Sequence, residues 1–243
     1  MKGSVRILPT GDRAFVVELG EVIDPELNAR VRALAHAVWE SFREEIVEVV
    51  PTYRSFLVVH DPLRSEREGL VARIMAVAED LEHRPATTET SRLVHLPACY
   101  GGTFGPDLED VARHARLSPE EVIAIHSGAT YLVYMLGFTP GFPYLGGMPP
   151  AIATPRLETP RQRVEAGFVG IGGQQTGIYP IESPGGWRLI ARTPVRLFDP
   201  ESSSPFLLAA GDRLRFEPVT KEEWAATAER VSARTYVPRI DTA

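Results

Sequence analysis

The chain has 243 residues, 44% of them apolar and 24% charged, with a net charge of −6 at neutral pH. That length holds one or two domains with real cores, and an acidic balance without any basic block argues against nucleic acid or an anionic membrane as a partner. A single cysteine, Cys99, excludes an internal disulfide and fits a reducing compartment, and no segment has the apolar run of a signal peptide or a membrane span, so a soluble cytoplasmic protein is expected.

The first elements read as strands. VRIL and AFVVEL are rich in β-branched residues and are separated by Gly11-Asp12, the pattern of a hairpin. Asp24-Pro25 then offers an N-cap followed by proline at the first helical position. Leu27, Val31, Leu34 and Val38 follow at helical spacing. IVEVV and SFLVVH are two further strands joined by Pro51-Thr52-Tyr53, and Leu70, Ile74, Val77 and Leu81 mark a second helix. The order ββαββα predicts a small α+β layer over residues 1–88. RPATTETS, 84–91, has no periodicity and reads as a linker.

After the linker come a strand at 92–97, a glycine-rich loop at 100–107, and two short helices. Asp107 is placed to cap the first, and Ser118-Pro119-Glu120-Glu121 starts the second. A β-prone segment, ATYLVYML, leads on. Short strands are predicted at 167–171, 187–191, 195–198 and 212–217. Many short strands between turn signals predict a closed or nearly closed, mainly-β barrel over 89–220. A C-terminal helix from Lys221 to about Val231, then an irregular tail, completes the chain at 221–243.

Residues 137–186 hold 11 of the 20 glycines and 8 of the 21 prolines, yet no His, Cys or Lys. Glycine permits positive φ and close approach, and proline stiffens what lies between, so a fixed irregular surface is expected there. Arg156, Arg161 and Arg163 offer bidentate partners for a carboxylate or phosphate. Gln174, Gln175, Thr176 and Tyr179 on a glycine-framed backbone suit recognition of a small polar group. Phe138, Phe142 and Tyr144 read either as core anchors or as a pocket wall. GIGGQQTG reads equally as a phosphate cradle or a tight strand-to-strand turn.

Conventional catalytic signals are missing. No GxSxG surrounds Ser183, and with Lys2 and Lys221 the only lysines, a Schiff base or P-loop is disfavoured. The histidines lack the spacing of a zinc site, so no metal is predicted. His126, which ends the capped helix just before the glycine- and proline-rich region, is the one histidine kept as a functional candidate. His36, His60 and His95 read as structural or exposed.

GFTPGFPYLGG (137–147), TPR and TPRQRV (154–164), AGFVGIGGQQTGIYPIESPGGW (166–187) and RTP…LFDP (192–200) together resemble the family of 5-oxoprolinase B subunits, also called the KipI family or allophanate hydrolase subunit 1. YGGTFGPDLEDVA and SPEEVIAIHSG resemble it upstream. The chain departs where the family reads PAGSV, with Glu165 and Phe168 at the first and fourth positions. The resemblance implies an α+β domain followed by a cyclophilin-like barrel. It implies a subunit of an ATP-dependent enzyme that opens 5-oxoproline to L-glutamate with partner subunits A and C, the ATP site being possible on a partner. Its other branches imply a histidine-kinase inhibitor, or a carboxyltransferase component acting on a urea-like substrate with biotin. The matching motif positions are Phe138, Gly141, Tyr144, Arg161, Gln174, Gln175, Thr176 and Tyr179, and the resemblance carries over no catalytic residue; Phe138, Gly141, Tyr144, Thr176 and Tyr179 are expected at the substrate, and His126, Arg161, Gln174 and Gln175 are the catalytic candidates.

Overall fold

A computed structural model describes residues 5–83 and 92–242, so the predicted linker at 84–91 lies outside the described residues. Contacts divide the chain into two compact units, Met1–Glu89 and Thr90–Ala243. No helix among the described residues is long and apolar enough to cross a membrane.

In the first unit the elements run β1 (Arg6–Pro9), β2 (Ala14–Glu18), α1 (Pro25–Phe42), β3 (Ile46–Pro51), β4 (Ser55–His60) and α2 (Arg67–His83). The strands form an antiparallel sheet in the order β1-β2-β4-β3. The period of two in a strand puts Phe15, Val17, Phe56 and Val58 on one face, where they share a core with Val31, Leu34 and Val38 of α1 and Leu70 and Ile74 of α2. Each such side chain contributes about 1.5–3 kcal/mol on burial. Asp24 caps α1 as its sequence position predicts, with Oδ1 accepting from the Glu26 and Leu27 amides. Asn28, buried on α1, donates from Nδ2 to the Thr52 and Tyr53 carbonyls and ties the helix to the β3–β4 turn.

The second unit contains β5 (Arg92–Tyr100), α3 (Leu108–Ala115), α4 (Pro119–Gly128), β6 (Tyr131–Leu136), β7 (Pro143–Gly146), β8 (Arg161–Val164), β9 (Phe168–Gly172), β10 (Gln175–Ile178), β11 (Ser183–Gly185), β12 (Arg188–Arg192), β13 (Arg213–Pro218), α5 (Lys221–Ser232) and β14 (Ile240–Thr242). Seven strands close into a mixed barrel in the order β12-β9-β10-β7-β6-β13-β5, sealed where Tyr100 and Cys99 pair with Ala191 and Arg192. The β13–β5 ladder is parallel and the others are antiparallel. Closure pairs the two strands that would otherwise be the edges of the sheet, β12 and β5. The interior is aliphatic and aromatic, with Val94, Leu96, Val133, Leu145, Ile171 and Ile190 among its buried residues. α4 starts with the capping box that Ser118 and Glu121 predict. β8 and β11 form a separate two-stranded ribbon.

Several local expectations are corrected. Residues 195–198 form no strand: Phe198 makes one isolated bridge to Phe206, and Val195 N is taken by the Thr193 hydroxyl. The tail is not irregular to its end, because β14 pairs with the first residues of β5. His95, buried on β5, fastens this strand: its Nδ1 lies 2.8 Å from Glu217 Oε1 and its Nε2 2.9 Å from Asp241 Oδ2. Arg239 and His95 together hold the Asp241 carboxyl below its ordinary range.

Candidate functional site

The glycine- and proline-rich stretch builds an aromatic platform against the barrel. The Phe142 ring sits edge-on to Tyr144, Tyr179 and Trp187 at centroid distances of 5.3, 5.8 and 5.7 Å, and Phe138 meets it at 5.7 Å. Room for the Trp187 indole comes from missing side chains. A Cβ at Gly170, Gly172 or Gly177 would lie 3.0, 2.6 or 2.9 Å from Trp187 atoms. Gly173 takes φ +67° at the β9–β10 turn, and its amide and carbonyl both bond to Thr154. GIGGQQTG is therefore a tight hairpin in which Gly170, Gly172 and Gly177 make room for Trp187.

The structure sorts the predicted site residues into a buried set and an accessible set. His126 is fully buried against Phe216 and Tyr131, with ring centroids at 4.7 and 5.4 Å. The Thr176 hydroxyl donates to the Gly170 carbonyl at 3.0 Å, so it accepts from His126 Nε2–H, also at 3.0 Å. Nδ1 is then the acceptor for the Tyr100 hydroxyl at 2.8 Å. Burial pushes the imidazole down to about 3, so it is neutral. Both nitrogens are committed, which removes His126 from the groups that can meet a ligand. Thr176 is buried in the same chain of bonds and is likewise corrected to a structural role.

Tyr179 is almost wholly buried, its hydroxyl lying where a Gly185 side chain would otherwise be. Burial pushes this phenol up, against the opposing pull of Arg156 and Arg161. Gly141, also buried, takes φ +78° and packs on Phe198, so it shapes a turn and offers no open surface. The accessible set is Phe138, 68% exposed and held at φ +66°, together with exposed Gln174 and half-buried Tyr144, Gln175 and Arg161. Phe138 and Tyr144 meet through Phe142, while Gln174 and Gln175 occupy the hairpin end.

Arg161 is positioned by a residue expected to do something else. Asp107 makes no side-chain cap on α3. Its buried carboxylate accepts from Arg161 Nη2 through Oδ1 and from the Leu189 amide through Oδ2, both at 2.7 Å. Arg161 Nη1 is buried without a hydrogen-bond partner. Arg156 stacks 5.6 Å above Trp187, and Arg163 pairs with Glu182 at 2.7 Å. The two departures from the family pattern are linked: Arg192 pairs with Glu165 at 2.8 Å and lies 4.9 Å over the Phe168 ring.

The platform thus offers an aromatic base, guanidinium groups and amides. Ser183 Oγ is buried without a partner, and burial pushes the Cys99 thiol up, so neither is an activated nucleophile. Among the described residues no three His, Cys, Asp or Glu side chains are placed to hold a metal ion. Such a surface can orient a small polar molecule. Trp187 and Asp107 were not marked as site residues by sequence reasoning; glycines at alternate positions 170 and 172 were the available signal for a large ring on a neighbouring segment.

A family model described as carboxyltransferase domain, subdomain C and D, matches residues 5–208. The B subunit of 5-oxoprolinase from Bacillus subtilis is 43% identical over 90% of this chain and 95% of its own length. The solved structure of TTHA0988 is 40% identical with a TM-score of 0.76; the match covers 86% of this chain but only 40% of that one. The urea carboxylase of Kluyveromyces lactis shares the fold at 24% identity, with a TM-score of 0.80 over 98% of this chain and 24% of its own.

Proposed function

The chain belongs to the carboxyltransferase-domain family and, within it, to the family of 5-oxoprolinase B subunits, and on that premise we propose that it is a subunit of an ATP-dependent enzyme opening 5-oxoproline to L-glutamate. The observation that carries this reading is the match to such a subunit along nearly the whole of both chains. We take the barrel as cyclophilin-like and the ββαββα unit as its companion layer, with subunits A and C as partners. Activity then requires the assembled subunits.

A lactam is an unactivated amide. Transfer of the terminal phosphoryl group of ATP to its carbonyl oxygen makes the carbon electrophilic. Water adds there, the ring C–N bond breaks with the nitrogen leaving as the amine, and a second water hydrolyses the resulting acyl phosphate to glutamate and phosphate. In this scheme the present chain orients rather than attacks: Gln174 and Gln175 hold the lactam or acyl phosphate, and Arg161, fixed by Asp107, supplies charge nearby. ATP is assigned to a partner subunit, because the glycine-rich turn seats Trp187 and the sequence has no lysine between Lys2 and Lys221. The name of the matching family favours a second reading, transfer of a carboxyl group from biotin to a urea-like acceptor, which a carboxylation assay with a biotin carrier separates from the first.

In the complex of all three subunits, Gln174→Ala and Gln175→Ala should each lower kcat/KM for 5-oxoproline by about tenfold or more. Turnover at the wild-type rate in both variants would remove the orienting role.

A further inference from the structure

A different set of residues lines an open cleft of about 410 Å3, within the roughly 300–1,000 Å3 typical of small-molecule sites. Its walls come from the start of β5, the loop 195–207, and the chain at and after the end of α5. Val195, Leu207 and Val231 supply an aliphatic lining, and Arg92, Arg196 and Arg234 reach it from three separate segments. In a chain of net charge −6 this convergence is local and specific.

The charges in the walls are unequally committed. Arg92 donates from Nε to Asp212 Oδ1 at 2.9 Å, and its Nη2 bonds to Asp212 Oδ2 and to the Leu207 carbonyl. That edge is spent, and the guanidinium is held rigid. Arg234 pairs with Glu201 while held at φ +58°, a left-handed position that ordinarily favours glycine. Asp199 Oδ1 accepts from the Glu201 amide, and its Oδ2 lies 3.9 Å from Arg196 and 3.6 Å from Arg234, within ion-pair range of both but beyond hydrogen-bond reach. Arg196 and Asp199, three residues apart on one loop, are thus joined by a long ion pair that closes no hydrogen bond.

With Arg92 balanced by Asp212 and Arg234 by Glu201, the remaining pair is neutral overall. A simple anion would add an uncompensated charge to it; a zwitterion would satisfy both members. We propose that this cavity binds an α-amino acid with an aliphatic side chain. Its carboxylate lies on Arg196, its ammonium group on Asp199 Oδ2, and its side chain against Val195, Leu207 and Val231. The site is distinct from the aromatic platform and independent of the reaction proposed there. An acidic amino acid such as glutamate is disfavoured because its second carboxylate would add an uncompensated negative charge to walls that are neutral overall.

Titration calorimetry of the full chain with L-leucine tests this. Saturable binding is expected, weakened at least about tenfold for leucine amide, which lacks the carboxylate, and for 4-methylvalerate, which lacks the ammonium group. L-Glutamate should bind at least as poorly as these analogues. Arg196→Ala, a half-exposed residue whose loss leaves no buried charge, should cost about tenfold with unchanged melting temperature, and Arg196→Lys should restore part of it. Asp199→Asn should weaken leucine but not 4-methylvalerate. Absence of saturation with leucine up to about 10 mM, equal affinity for 4-methylvalerate, or wild-type binding by Arg196→Ala would each overturn the proposal.

Discussion

In the last turn of α4, His126 shows how burial decides what a residue can do. Sequence order places it beside the glycine- and proline-rich region, which makes it a candidate catalyst; depth is the property that order does not reveal. Packed on Phe216 and bonded to Tyr100 and Thr176, it is a neutral core residue. Its folded-state basicity lies near 3, below the ordinary 6.5. The unfolded chain therefore binds an extra proton between those values. Stability is fully present above about pH 6.5 and is lost as pH falls toward 3, at up to about 1.4 kcal/mol per pH unit from this residue. Denaturant unfolding of wild type and His126→Phe across that range should show the wild type losing ground to the variant as pH falls. A constant difference between them would show that His126 is already protonated in the fold. The opposite lesson comes from Asp107. Its place before α3 suggests a cap, but Arg161, a distant residue in sequence, claims its carboxylate.

Elements were legible where local chemistry is strong. α1 and α4 begin at the caps their sequences announce, and the alternation of AFVVE and SFLVVH marks β2 and β4. β7, β8, β10 and β11 were not legible, since each is only three or four residues long and is interrupted by glycine, proline or charged side chains. Their pairing partners, not their own residues, make them strands. The same tertiary control explains the glycines of β9 and β10, which answer to Trp187 on a neighbouring segment. Gly172→Ala would place a Cβ 2.6 Å from the indole nitrogen, and overpacking of this kind costs about 1–3 kcal/mol. Thermal unfolding should show the loss, with a shift in tryptophan emission as the ring is displaced. An unaltered melting temperature and spectrum would mean that these glycines do not serve packing.

For the whole molecule, composition and turn density were enough to expect a barrel, while its closure depends on pairings between distant parts of the chain. β5, the first strand of the second unit, is flanked by β12, β13 and β14 from the last third of the sequence. No local pattern encodes that arrangement, nor the cavity that the loop 195–207 and the segment after α5 build beside it. The candidate site was legible in part: its location and its polar groups follow from the sequence, but its division into buried and accessible residues does not. What remains accessible can orient a ligand and lacks an activated nucleophile, which fits a chain that contributes to a shared site. The decisive measurement is glutamate release from 5-oxoproline and ATP by this chain combined with candidate subunits A and C, with each subunit omitted in turn. Glutamate is expected only when all three are present; turnover unaffected by omission of this chain, or none from the intact three-subunit assembly, would show that this chain is not a required 5-oxoprolinase subunit.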